Sequence, residues 1–208
     1  MNINFLRPLN DQIGNVMINK LLQTIEKAVN VDQDEKELIA RLFHEKKYAK
    51  GEYFLKEGDV CRNVGFIING VMRYYINDDG EEKTYGFAEE SDFVCNNESF
   101  LPQQPSRQII QALEDCTLLV IGYDNLQKFY TSIKSGERFG RLVIEQVFVK
   151  TLQGLNSFYT DSPELRYEKF VKEYPELLQR IPQYYIASYV GVKPQSLSRI
   201  RSRNIRRK

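Results

Sequence analysis

The sequence predicts an α+β protein in which a β-sandwich or barrel lies between helical segments. Three observations carry this: short apolar runs broken by Gly, Asp and Asn between Tyr48 and Ile121, a proline-free helical stretch from about Glu137 to Tyr159, and two short helical patterns around Gly191. A chain of 208 residues, 42% hydrophobic and 27% charged, is an ordinary globular composition with enough length for one large domain or two modest ones. Its longest apolar runs, such as Cys116 to Ile121 with Thr117 inside, fall far short of the roughly 20 residues of a membrane span. No apolar secretion segment opens the chain, so a cytoplasmic location with no membrane partner is expected.

Taken in order, residues 1–17 contain Pro8, Gly14 and several Asn and read as a loosely ordered extension. Ile18, Leu21, Leu22, Ile25 and Val29 have helical spacing. A second helix spans about Asp34 to Phe43 on Leu38, Ile39 and Leu42, with Asp32 or Asp34 as its cap. Strands follow at Tyr53–Leu55, Val64–Ile68, Val71–Ile76, Lys83–Phe87, Gln108–Leu113 and Cys116–Ile121. Turn chemistry separates them: Glu57-Gly58-Asp59 and Asn69-Gly70 supply positive-φ positions, and Asn77-Asp78-Asp79-Gly80 closes a hairpin.

A short helix from Asp124 to Tyr130 then leads into the long one. Its apolar residues form two stripes, Leu142, Val149 and Asn156 at seven-residue spacing, and Ile144, Phe148, Leu152, Leu155 and Tyr159 at steps of three and four. One stripe suits the β core and the other a second copy of the chain, so a homodimer is expected, with Leu142, Val149, Leu152 and Asn156 as interface candidates. Ser162-Pro163-Glu164 opens a further helix through an N-cap, an N1 proline and an acidic first turn. A domain boundary therefore falls at Thr160 to Ser162, dividing the chain into 1–17, 18–134, 135–160 and 161–208.

Charge separates the last segment from the rest. Residues 1–180 hold 22 Lys and Arg against 28 Asp and Glu, whereas residues 181–208 hold 7 basic residues and no acidic one. A polyanion partner at the C-terminal end is the physical expectation. Within that segment Ala187 permits close helix approach, Gly191 suits the left-handed position of a turn, Val192 plugs the interhelix space, and Pro194 fits the first position of a second helix on which Leu197 and Ile200 face the core. Gln195, Ser196, Ser198, Arg199, Arg201 and Arg203, followed by Arg206 and Arg207, remain as polar residues suited to double-stranded DNA. Gln and Arg read base edges, while hydroxyls and cations hold phosphates.

These segments in this order resemble the cyclic-AMP receptor protein and fumarate-nitrate regulator (Crp/Fnr) family of bacterial transcription factors, over roughly residues 20 to 203. Tyr48-Ala49-Lys50-Gly51-Glu52-Tyr53-Phe54-Leu55-Lys56-Glu57-Gly58-Asp59, Val64 to Tyr75 and the Asp78-Asp79-Gly80 hairpin carry the N-terminal likeness. The resemblance implies a β jelly-roll barrel of the cyclic-nucleotide-binding-like type as sensor domain (18–134), a dimerisation helix (135–160) and a helix-turn-helix DNA-binding domain (161–208). RNA polymerase becomes a further partner, and the effector is unspecified. By alignment the family's base-reading positions fall on Pro194, Gln195 and Arg199, with Ser196 at a phosphate position. The family's cyclic-AMP binders open their phosphate cassette with Gly-Glu and close it with Arg and Ser or Thr. Here Asp92-Phe93-Val94-Cys95-Asn96-Asn97-Glu98 lacks the first pair, and Ser106 and Arg107 stand where the second belongs. The nearest polar candidates for a ligand are Asn96, Asn97, Glu98, Ser106 and Arg107, and no cyclic-AMP response is expected.

Two other classes compete, a ligand-binding jelly-roll module without DNA binding and a metal-dependent cupin enzyme. A cupin needs several His around one metal, and His44 is the single histidine. The same residue is the only one a Ser-His-Asp triad could use. Cys61, Cys95 and Cys116 are too few and too widely spaced for a zinc or iron-sulfur cassette, and buried packing is the expected role of each. The reading is therefore a non-enzyme with no cofactor and no metal.

Overall fold

The computed structural model describes residues 7–206. In chain order its elements are α1 (Arg7–Glu26), α2 (Gln33–Leu42), β1 (His44–Tyr48), β2 (Tyr53–Leu55), β3 (Asn63–Asn69), β4 (Met72–Asp78), β5 (Glu81–Ala88), β6 (Phe93–Val94), α3 (Asn97–Phe100), β7 (Gln108–Ala112), β8 (Cys116–Gly122), α4 (Tyr123–Ser132), α5 (Gly136–Thr160), α6 (Pro163–Glu173), α7 (Leu177–Arg180), α8 (Gln183–Val190) and α9 (Pro194–Arg206). Of the expected loose extension, residues 1–6 lie outside the described residues and those from Arg7 onward belong to α1. The chain divides into two compact units, Met1–Met72 with Phe87–Ile144, and Arg73–Gly86 with Glu145–Lys208.

The first unit is built on one continuous apolar core. Leu21 and Ile25 of α1 and Ile39 and Leu42 of α2 pack with Phe66 of β3, Leu119 and Ile121 of β8, Phe129 of α4 and Phe139 of α5. Helix α2 starts at a capping box: Asp32 Oδ1 accepts the Glu35 amide and Glu35 Oε2 accepts the Asp32 amide, both at 3.0 Å. The same two carboxylates hold Lys134, through its ammonium on Asp32 and its amide on Glu35, each at 2.7 Å. The Lys134 hydrogen bond keeps the Asp32 carboxyl below its ordinary range.

One antiparallel sheet runs β1-β8-β3-β6, with His44 opposite Val120, Phe66 opposite Leu119 and Phe66 opposite Phe93. Strand β8 is buried along nearly its whole length, which is why it reads as a continuous apolar run rather than an alternation. Strand β1 carries His-Glu-Lys-Lys-Tyr with Tyr48 alone buried, a charged edge that resists pairing with another chain. Gly70, after β3, has φ of +108°, and a Cβ there would lie 2.4 Å from Cys116 Sγ, so only glycine fits. In the same unit β2 pairs with β7 through a bulge between Tyr53 and Leu55. The described strands pair within separate antiparallel sheets and do not close into the jelly-roll barrel that the resemblance implies, which corrects that expectation.

In the second unit, β4 and β5 form the expected hairpin. Asp79 and Gly80 both take positive φ, 51° and 88°, and Asn77 Oδ1 accepts the Gly80 amide at 3.0 Å. Helices α6 to α9 share a core of Tyr167, Phe170, Leu177, Ile186, Ala187, Val190, Leu197 and Ile200. Ser162 caps α6 by accepting the Leu165 amide at 3.2 Å, with Pro163 at the first turn. Replacing Ser162 by alanine is expected to cost about 1 kcal/mol in urea unfolding, while glycine there costs only a few tenths.

Candidate functional site

Helix α8 ends where the sequence places its turn. Gly191 adopts φ 76° and ψ 39°, its amide donates to Ser188 O at 3.0 Å, and the Val192 amide donates to Ala187 O at 2.9 Å. These bonds satisfy the last carbonyls of α8 and redirect the chain into α9. Arg166 of α6 reinforces the turn, donating Nε to Val190 O and Nη1 to Asp161 O, each at 2.7 Å. That contact was not visible in the sequence, because nothing local links residues 166 and 190.

Leu197 and Ile200 pin α9 to the unit's core at 1% and 3% exposure. The opposite side carries Gln195, Ser196, Ser198 and Arg199, all exposed, with Ser202 and Arg203 beyond them and Arg201 half-buried. Gln195 and Arg199 are one helical turn apart and share a face. Arg203 Nη1 lies 3.2 Å from Glu164 Oε1 of α6, so it is paired within the protein. The side chains of Arg206 and Arg207 lie outside the described ones. The face can therefore offer a bidentate donor, an amide and two hydroxyls to a groove, with no acidic residue on the helix.

Helix α8 also engages the β4–β5 hairpin of its own unit. Ser188 Oγ accepts the Thr84 amide and donates to Glu82 O, both at 2.9 Å, inserting a hydroxyl where a neighbouring strand would bond. Arg73 of β4 is fully buried, its guanidinium carbon 3.9 Å from the ring centres of both Tyr75 and Tyr185. Nη2 reaches Glu82 Oε2 at 2.5 Å, while Nε and Nη1 are buried without a hydrogen-bond partner. Burial also pushes the Tyr185 phenol up.

Along α5 the apolar surface is uncovered. Phe148 is 62% exposed, Val149 50%, Leu152 43% and Leu155 52%; Leu142 is half-buried and Asn156 exposed. Beyond residue 144, residues of both stripes face solvent in the single chain, instead of one stripe being covered.

The structure brings Asn96 and Ser106 together and leaves Arg107 outside. Asn96 caps α3 by accepting the Glu98 amide at 3.0 Å, and its Nδ2 donates to Ser106 Oγ at 2.6 Å. Ser106 Oγ also accepts the Gln108 amide at 2.9 Å and donates to Gln108 O at 2.8 Å, which uses its full capacity. Both residues are buried, at 3% and 4% exposure. Asn97 is half-buried, while Glu98 and Arg107 are exposed, and Glu98 Oε2 accepts from Gln108 Nε2 at 3.4 Å. The polar atoms of Asn96 and Ser106 thus brace the segment, and Arg107 offers no inward cation for a phosphate. Arg107 stands on the bend just before β7, where its side chain is exposed.

Residues 45–132 match the family described as "Cyclic nucleotide-binding domain". No curated protein is matched by this chain. Among solved structures, a variant of CooA from Carboxydothermus hydrogenoformans is 21% identical with a TM-score of 0.62, over 78% of this chain and 76% of that one. FixK2 from Bradyrhizobium japonicum aligns at 16% identity and a TM-score of 0.65, over 77% of this chain and 83% of that one. CLP from Xanthomonas campestris aligns at 16% identity and a TM-score of 0.60, over 83% of this chain and 91% of that one. At these identities the likeness is one of fold.

Proposed function

We propose that the chain is a dimeric, DNA-binding transcription regulator of the Crp/Fnr type, without enzymatic activity and unresponsive to cyclic AMP. The observation that carries this is the exposed Gln195, Ser196, Ser198 and Arg199 face of α9, set on a two-helix turn inside a segment with seven basic residues and no acidic one. Support comes from the structural neighbours, since CLP is described as a c-di-GMP responsive global regulator that links signalling to gene expression. In this reading residues 161–208 are the helix-turn-helix domain, 135–160 the dimerisation helix and 18–134 the sensor, in the cytoplasm with RNA polymerase as a further partner. Gln195 and Arg199 read base edges, Ser196 and Ser198 hold phosphates, and Arg201, Arg203, Arg206 and Arg207 neutralise the backbone. Independence from cyclic AMP follows from the saturated Ser106 hydroxyl and the outward Arg107.

Two-fold symmetry requires an inverted-repeat operator with half-sites about 10 base pairs apart or a multiple of that. Selection from random DNA is expected to return one. Arg199→Ala should then lose roughly 1 to 3 kcal/mol and relax preference at one base pair per half-site, as should Gln195→Ala at a neighbouring position. Arg207→Ala should weaken all sequences about equally and flatten the salt dependence. A selection without an inverted repeat, with Arg199→Ala binding every sequence as well as wild type, would point instead to a ligand-binding module with no role on DNA.

A further inference from the structure

Cys61, on the segment between β2 and β3, and Cys95, directly after β6, bring their sulfur atoms to 3.9 Å across 34 residues of sequence. Both are reduced in this structure. Each is held by the short segment around α3. The Cys61 amide donates to Ser99 Oγ at 2.8 Å, Gln103 Nε2 donates to Cys61 O at 3.4 Å, and Cys95 immediately precedes Asn96, the cap of α3. Cys61 is buried and Cys95 half-buried, a setting that favours a small oxidant over a bulky one. A disulfide needs about 2.05 Å between sulfurs, so the two must approach by roughly 2 Å, a displacement suited to the irregular segments on which both stand.

The two thiols are chemically unequal. The contact between the two sulfurs lowers the Cys61 thiol to about 7, and the same contact together with burial raises the Cys95 thiol well above its ordinary value. Cys61, whose thiol is the lower of the two, is the better suited to act as the attacking sulfur. Cys116 is the internal contrast: buried on β8, it donates to Glu114 O at 3.2 Å and Val71 O at 3.5 Å, and burial pushes its thiol up to about 11.

We propose that Cys61 and Cys95 are a peroxide-reactive pair that closes to a reversible intramolecular disulfide at the base of α3. The Cys61 thiolate attacks one oxygen of hydrogen peroxide; the S–O bond forms, the O–O bond breaks, and the departing hydroxide takes a proton and leaves as water. Cys61 is then a sulfenic acid. The Cys95 sulfur attacks it, the S–S bond forms, the S–O bond breaks, and the Cys95 proton leaves with the hydroxyl as a second water. Two thiols lose two electrons in all, and one peroxide becomes two waters. A small thiol such as dithiothreitol reverses the step by exchange.

The test uses the reduced full-length chain and a modest molar excess of hydrogen peroxide. Titratable thiols in denaturant are expected to fall from the three of the sequence to one, and to return to three with dithiothreitol. Peptide mapping should join the Cys61 and Cys95 peptides within one chain and leave Cys116 unmodified. The Cys116→Ser chain should form the same link. The Cys95→Ser chain, which lacks the second sulfur, should instead accumulate a dimedone-reactive sulfenic acid at Cys61. Three thiols persisting under the oxidant, links through Cys116, or links between chains would each overturn the proposal. The readout is thiol chemistry, so its failure leaves the DNA-binding reading where it stands.

Discussion

A chain with aspartate in place of Leu152 is expected to sediment as a monomer at concentrations where the wild type is a dimer. The reason lies on α5, where Phe148, Val149, Leu152 and Leu155 expose between 43% and 62% of their surface in the single chain. Such a stripe of large apolar side chains on a helix is a surface for another helix. In a symmetric pair the same residue of each copy lies in the seam, so one substitution introduces two carboxylates into a desolvated interface. An unpaired charge buried this way costs several kcal/mol, and even about 3 kcal/mol raises the dimer dissociation constant more than 100-fold. Helix content by circular dichroism should be unchanged. Val149→Asp, on the other stripe, should dissociate the dimer less if Leu152 lies in the seam and more if Val149 does. Dimers surviving both substitutions at micromolar concentration would place the interface elsewhere.

Glu82→Ala is expected to be the most destabilising change on the surface of the second unit, although Glu82 itself is half-exposed. Its carboxylate bonds Nη2 of Arg73, whose guanidinium is fully buried and whose Nε and Nη1 have no hydrogen-bond partner among the described residues. Removing the acid leaves a buried cation held by Tyr75 and Tyr185 without a carboxylate partner. Breaking one side of a buried pair costs about 3 to 5 kcal/mol in the fully desolvated limit, and the solvent exposure of Glu82 reduces this to about 2 to 4 kcal/mol. Glu82→Gln keeps an acceptor and should lose less. The double change Arg73→Met with Glu82→Ala should recover much of the loss, because methionine fills the space between Tyr75 and Tyr185 without a charge. Urea unfolding of the three variants measures the ordering, and a single Glu82→Ala as stable as wild type would show that the cation needs no carboxylate.

Local chemistry made much of the fold legible. Gly191 and Pro194 bracket the turn between α8 and α9 as their backbone preferences demand, Asp32 and Ser162 cap the helices they precede, and Asp79-Gly80 takes the left-handed conformations of a hairpin. The apolar runs located β2, β3, β4, β5, β7 and β8 within a residue or two. Strand β1 escaped because an edge strand reading His-Glu-Lys-Lys-Tyr has no buried alternation, and β6 because two residues carry no period. The exposed polar face of α9 was readable from helical spacing around Leu197 and Ile200. The bracing of Asn96 by Ser106, the stacking of Arg73 on Tyr185 and the approach of Cys61 to Cys95 were not. Each joins residues separated in sequence through the tertiary fold, and composition offers no signal for such a meeting. The three cysteines, expected only to fill space, include two that meet.

The Ser188 hydroxyl has a kinetic meaning. The Thr84 amide is protected by this one side chain of α8, not by another strand, so its hydrogen exchanges with deuterium only when the helix leaves the hairpin. Neighbouring hairpin amides bonded across β4 and β5 would open with the hairpin itself. The ratio of the two exchange rates therefore counts departures of α8 directly, and a slower Thr84 rate in one solution than another would mean that the helix carrying the turn into α9 spends less time away.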